Sequence, residues 1–322
     1  MQSGQSTGDA DSRAGAARVP FSRRAGSRGR GLRRRRGLRL RPRHIVRAVV
    51  VAAGVLVLSG CQDLFVYHPA TADEETLLVR AVENGLEPWP NAGDGRMGWY
   101  APPPGNTAPN NPAPPDSTEP HRVIIFHGNG GQAVHRDHYV RGFQSAGAQG
   151  RWEVYILEYP GFGSRPGDPS EEALLSAAGE AVDFLLEADP DRPVYVVGES
   201  LGTGVASQVA AAYPQAVPAV FLITPFTNIV DVGARSAPRF LVRAVLRDRY
   251  DNEDALAAYS GRVGVLLAGR DTVVPTDLGQ RLYEGYDGPK RLWMQEEAGH
   301  NNLDYDPGLP FWRELTEFLL GG

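Results

Sequence analysis

The apolar run Val194-Tyr195-Val196-Val197 leads straight into Gly198-Glu199-Ser200-Leu201-Gly202, and small, helix-compatible residues follow. This order predicts a strand, a sharp turn and a helix, with a serine at the apex. So tight a turn forces the serine backbone into a strained conformation and lifts its hydroxyl clear of a sheet, while glycines two positions to either side let strand and helix approach closely. The motif alone recurs by chance in many chains, so the remaining sequence has to decide whether Ser200 is a nucleophile.

Short apolar runs recur at wide spacing: Val123 to Phe126, Val154 to Leu157, Ala219 to Ile223, Val263 to Ala268 and Leu292 to Met294, with one more ending near Tyr100. Such runs read as buried parallel strands. The clearest helix between them starts at Asp168-Pro169-Ser170-Glu171, with Asp168 as the expected cap and Leu174, Leu175, Ala178, Val182, Leu185 and Leu186 on one face. Strands alternating with helices predict an α/β fold, a doubly wound, mostly parallel sheet with helices on both faces. Residues 102–120 hold eight prolines and read as an irregular surface loop.

In an open parallel sheet, functional groups gather where strands end. One exit is His127-Gly128-Asn129-Gly130-Gly131, a turn with little side chain to cover its amides. Backbone N–H groups aimed at a developing oxyanion are what acyl transfer needs, and Asn129 and Leu201 are the expected donors. Two further exits carry Gly269-Arg270-Asp271-Thr272-Val273-Val274-Pro275 and Ala298-Gly299-His300-Asn301. A serine hydroxyl needs a histidine to take its proton, and the histidine needs a carboxylate to fix its tautomer. Ser200, His300 and Asp271 fit those roles in the chain order Ser, Asp, His. Asp304 is a rival acid, but it does not follow a buried strand. Glu199 is expected either to shape the site or simply to be solvated. His127, His135 and His138 with Asp137 form a loose cluster; no metal is expected there, and His68 and His121 read as structural or exposed.

Together HGNGG, the YPGFG run at Tyr159 to Gly163, GESLG, GRDTVVP and AGHNN resemble the α/β-hydrolase superfamily, over about Phe65 to Leu320. With Phe65-Val66-Tyr67-His68-Pro69, the chain is similar to membrane-proximal serine hydrolases of the serine-aminopeptidase-like and BEM46-like group. The resemblance implies an α/β-hydrolase fold and a serine esterase, thioesterase or lipid hydrolase without a cofactor. An aminopeptidase-like amidase and a non-catalytic binding protein of the same fold are the alternatives, although silent members usually lose a triad residue. Only about thirty-five residues separate Phe226 from Val263, too few for the large caps that select peptides. A small lid is expected over 227–257, with an apolar helix from Pro238 to Leu246, and Phe162, Phe226 and Phe240 are candidate substrate contacts.

Charge is segregated along the chain. Residues 1–60 carry fourteen arginines and two aspartates, and the remainder is strongly acidic, net −17. Arginines up to Arg47, the eleven-residue apolar run Ala48 to Leu58, and then Ser59-Gly60-Cys61 follow the order of an export signal. The apolar core is well short of the ~20 residues a spanning helix needs. Leu58-Ser59-Gly60-Cys61 resembles the lipobox of bacterial lipoproteins, which implies lipidation of Cys61 and a mature domain over 61–322. Cys61 is the only cysteine, so disulfides are excluded. Arg23-Arg24 and Arg35-Arg36 leave the export route open, and the low-complexity start is compatible with a downstream start codon. An extended tether from Cys61 to Phe65 reaches about 14 Å, holding the domain at the membrane on the extracytoplasmic side. The expected partners are an amphiphilic acyl-ester substrate and, through the anchor, the membrane, with no nucleic acid and a monomeric state.

Overall fold

The computed structural model describes residues 66–90, 95–104, 119–146 and 151–322. Residues 1–60 with the expected export signal, Cys61, and 105–118 of the proline-rich loop lie outside the described residues.

The chain begins with α1 (Glu74–Glu83), β1 (Glu87–Pro90), β2 (Arg96–Ala101), β3 (His121–Phe126), α2 (Asp137–Ser145) and β4 (Trp152–Leu157). It continues through α3 (Glu171–Ala188), β5 (Val194–Glu199), α4 (Leu201–Ala212) and β6 (Ala219–Ile223). Three short helices follow, α5 (Ile229–Gly233), α6 (Arg239–Val245) and α7 (Asn252–Ala257), then β7 (Arg262–Ala268), α8 (Thr276–Gly285), β8 (Lys290–Gln295) and α9 (Pro310–Leu320). The strands form one sheet in the order β1-β2-β4-β3-β5-β6-β7-β8. From β4 to β8 every pairing is parallel, and β1 and β2 are antiparallel additions at one edge. The doubly wound, mostly parallel sheet is therefore as expected. The antiparallel edge was legible only as an apolar stretch ending at Tyr100; Pro88 and Pro90 in β1 suit an edge strand, where lost ladder donors matter least.

Alternation within strands builds two cores. Ile124 and Phe126 of β3 pack on one face with α3, α4 and α8, whereas Val123 and Ile125 pack on the other with α1, α2 and α9. Strands β3 to β7 therefore have almost no solvated face and read as near-continuous apolar runs, whereas β8, expected to be buried over Leu292 to Met294, is half-exposed because it is an edge strand paired only with β7. Helix α3 starts two residues later than Asp168 predicts: Ser170 is its cap, accepting from Ala173 N at 3.1 Å. Its other end lies over the fully buried Arg122, whose guanidinium donates to Asp189 O at 3.0 Å and to Leu185 O at 2.5 Å, the latter also accepting from Asp189 N at 3.2 Å. No described helix is long and apolar enough to cross a membrane.

Candidate active site

Strand β5 delivers Ser200 at φ 51°, ψ −115°, a left-handed backbone that a serine adopts only under constraint. The constraint is visible on both sides. A Cβ on Gly198 would lie 2.3 Å from Gly202 O, and one on Gly202 would lie 2.0 Å from Phe126 O, so only glycine permits α4 to sit this close to β5 and β3. Ser200 N donates to Ile223 O at 2.9 Å, and Ser200 O accepts from Thr203 N and Oγ1 at 2.9 and 2.7 Å.

His300 reaches this serine from the loop after β8, with Nε2 2.9 Å from Ser200 Oγ and Nδ1 2.6 Å from Asp271 Oδ2. Asp271 is held from behind, its Oδ1 accepting from Val273 N and Val274 N at 2.8 Å each. The acid and histidine loops are laced together by Gly269 N to Gln295 O at 2.9 Å and Arg270 N to Ala298 O at 2.8 Å. A Cβ on Gly269 would fall 2.3 Å from Glu296 O, so a side chain there would part the two loops. Asp304 takes no part: exposed, it accepts from Asp306 N in its own loop. The three strand exits singled out from sequence thus converge into one hydrogen-bonded chain, in which Nδ1–H donates to the carboxylate and Nε2 is left to accept the serine proton.

The glycine turn after β3 lies against the serine, with a Cβ on Gly128 falling 3.4 Å from Ser200 Cβ. The Asn129 side chain is fully engaged: Nδ2 donates to Val66 O at 2.7 Å, and Oδ1 accepts from His68 N at 2.8 Å and Gly130 N at 3.1 Å. Its backbone N–H has no backbone acceptor among the described residues. Leu201 opens α4, where an N–H has no intrahelical partner. Both groups are thus available to a negative oxygen. The hold of Asn129 on residues 66–68 was not anticipated; the only signal was an amide side chain where a glycine turn needs none.

Glu199, next to the nucleophile, is half-buried rather than freely solvated. It pairs with Arg136 Nε at 2.8 Å. Burial pushes its carboxyl up, but Arg136, with His138 and His127 beyond it, outweighs this and holds it below the ordinary range. His138 lies between the rings of Tyr139 and Tyr305, at 4.2 and 4.7 Å, and burial brings its pKa down to about 4. His127 sits elsewhere, beside Glu158 at 3.3 Å and against Tyr159 and Phe162. The three histidines therefore do not converge, and no cluster of metal-ligating side chains occurs among the described residues.

Ser200 opens into a cavity of about 460 Å³. Apart from Ser200 its lining is apolar: Val66 and Leu201, Phe226 and Val274 from strand exits, and residues of α5 and α6. Of the three phenylalanines expected at the substrate, only Phe226 lines it. Phe162 is fully buried beneath the glycine turn, 5.4 Å from His127 and 5.6 Å from Tyr159, because the turn after β4 folds inward. Phe240 points to solvent, 71 % exposed, since α6 presents Leu241, Val242 and Val245 to the cavity instead. The far end of the lid is pinned by Asp248, which accepts from Tyr67 OH at 2.6 Å and Glu171 N at 3.0 Å.

Residues 121–248 match the family model described as alpha/beta hydrolase fold. An uncharacterized protein of Mycobacterium tuberculosis is 29 % identical over 275 residues, covering 84 % of this chain and 92 % of its own length. The lysophosphatidylserine lipase ABHD12 of Mus musculus is 31 % identical over 228 residues, 62 % of this chain but 56 % of that protein. Among solved structures, Est1E from Butyrivibrio proteoclasticus superposes with a TM-score of 0.56 at 16 % identity, covering 74 % of this chain and 100 % of its own. The Pyrococcus furiosus esterase Pf2001 gives 0.55 at 16 % identity, covering 79 % and 98 %. At such identity these two structures speak to the fold.

Proposed function

The chain belongs to the α/β-hydrolase superfamily, and from that premise we propose that it is a serine hydrolase of carboxylic esters or thioesters with an apolar acyl chain. The observation that carries the reading is Ser200, hydrogen-bonded through His300 to Asp271, in the wall of an otherwise apolar cavity. Ser200 Oγ attacks the acyl carbon as His300 Nε2 takes its proton, and Asp271 stabilises the imidazolium. The oxyanion receives Asn129 N–H and Leu201 N–H. Collapse breaks the bond to the alcohol or thiol, which leaves with the proton from His300. Water then attacks the acyl-enzyme, gives its proton to His300, and the acid departs as Ser200 recovers its hydrogen. An acyl tail in the cavity gains about 0.8 kcal/mol per buried CH2, roughly fourfold per methylene. Lysophospholipids, named for the mouse relative, belong to this substrate class.

The same reading has Cys61 as a lipidated residue that tethers a monomeric domain to the extracytoplasmic face of the membrane. Two experiments test the two halves. Rates on p-nitrophenyl esters of increasing chain length, with Ser200→Ala as blank, should rise beyond butyrate; a sharp fall there would point to small soluble esters. Cys61→Ser should leave the chain unlipidated and shift it out of the detergent phase, and unchanged partitioning would refute the anchor.

A further inference from the structure

Helix α6 presents three different faces. Leu241, Val242 and Val245 line the cavity, Arg239 and Arg243, one turn apart, turn toward a small cleft, and Phe240 is 71 % exposed, as is Leu241 to 46 % although it also lines the cavity. The cleft, about 70 Å³, is lined by Arg239, Arg243 and Arg249 with Asn228, Val230 and Asp251. Arg239 already pairs with Asp231, but the guanidiniums of Arg243 and Arg249 have no carboxylate partner among the described residues. Val273, in the acid loop beside the cavity-lining Val274, is 53 % exposed. Phe240, Leu241 and Val273 are thus exposed apolar side chains that line the cavity or adjoin residues that line it, on the same lid as two arginines that form no ion pair among the described residues.

We propose that α6 and its arginine cleft are the surface through which the protein docks on an anionic lipid bilayer, with Phe240 and Leu241 entering the interface and Arg243 and Arg249 meeting lipid phosphates. An apolar tip flanked by arginines matches the two energies available at such a surface, burial of apolar area and attraction to anionic headgroups. The other exposed apolar stripe, Leu78, Val79 and Val82 on α1, lies among Glu74, Glu75 and Glu83, and an anionic surface would repel it. Docking by α6 sets the cavity mouth against the lipid, so an acyl chain could enter without crossing water. The proposal does not depend on lipidation of Cys61, and it stands or falls separately from the ester chemistry.

Bulk sedimentation with vesicles would be uninformative, because residues 1–60 are strongly basic and would bind anionic lipid by themselves. A local probe avoids this. Since Cys61 is the only cysteine, the full chain carrying Cys61→Ser and Phe240→Cys takes a single environment-sensitive fluorophore at position 240. Phosphatidylglycerol vesicles should shift its emission to the blue and phosphatidylcholine vesicles should not. The same label at Val82→Cys should stay aqueous, and retained ester hydrolysis reports folding. Adding Arg243→Ala and Arg249→Ala should sharply reduce the blue shift at position 240 at saturating phosphatidylglycerol, even while residues 1–60 keep the chain on the vesicle. A label at 240 that stays aqueous, equal shifts at 240 and 82, or equal shifts on both lipids would overturn the proposal. So would a shift that grows with protein concentration without vesicles, which would mean that a second copy covers this face.

Discussion

Asn129 donates its side-chain amide to the carbonyl of Val66 at 2.7 Å, so the turn that offers N–H groups to the reacting carbonyl is tied to the first described segment of the chain. Val66 also lines the cavity beside Ser200. One side chain therefore fixes an oxyanion donor and part of the acyl wall together. Asn129→Ala keeps the backbone N–H but releases residues 66–68; with each lost hydrogen bond contributing about 1 kcal/mol, kcat should fall roughly tenfold. Steady-state kinetics on p-nitrophenyl butyrate measure this, and an unchanged kcat would mean that the turn holds its shape unaided.

Asp271→Asn keeps the shape of the acid and removes its charge. The histidine then loses both the acceptor that sets its tautomer and the partner of its imidazolium, and the expected loss in kcat is on the order of 10⁴-fold. Asp304→Asn, in the same assay, should change kcat less than twofold, because its carboxylate stays within its own loop.

The glycines of the elbow make a stability prediction. Gly202→Ala places a methyl group 2.0 Å from Phe126 O, a backbone atom in the middle of the sheet that cannot swing aside. Overpacking against side chains typically costs 1–3 kcal/mol, so a clash with backbone should reach about 3 kcal/mol or more. Urea unfolding should show a lower midpoint at an unchanged slope. Gly285→Ala, where nothing lies within 4 Å, serves as the control.

Acid should lower the stability of the protein through two groups that lose their contributions over different pH ranges. His138 titrates near 4 when folded, against ~6.5 in an unfolded chain, so between those values the unfolded state binds more protons and stability falls as pH drops. The slope approaches about 1.4 kcal/mol per pH unit. Burial is the main cause, Arg136 adds to it, and Glu199 opposes it. Glu199 acts in the same direction at lower pH: its folded pKa lies below its unfolded one, so its contribution is complete above the unfolded value and is lost as pH falls through the folded value. His138→Phe, which can occupy the space between Tyr139 and Tyr305, should flatten the curve between pH 6.5 and 4 in denaturant titrations. An unchanged curve would contradict the assignment.

Much of this was legible because strand and exit are written in contiguous residues. Val194 to Gly202 encodes β5, the elbow and the start of α4 in one stretch; Asp271 follows an apolar run that forms the buried strand β7, and His300 follows a shorter one that forms the half-exposed edge strand β8. What the chain concealed was direction and partnership. Phe162 and Phe240 were candidate contacts by residue type, but whether a loop phenylalanine points inward or a seven-residue helix turns position 240 outward depends on packing that no local pattern records. The same holds for Ser170, which caps α3 although Asp168 had the more familiar arrangement. The pairing of Arg136 with Glu199 joins residues 63 apart in sequence.

The central claim is that Ser200 is an activated nucleophile, and reaction with a fluorophosphonate followed by intact-mass and peptide analysis tests it most directly. The wild type should gain one adduct, located on Ser200; folded Ser200→Ala should gain none, and His300→Ala should react at least a hundredfold more slowly. A folded wild type that gains no adduct, or one that carries it on another residue, would contradict the account.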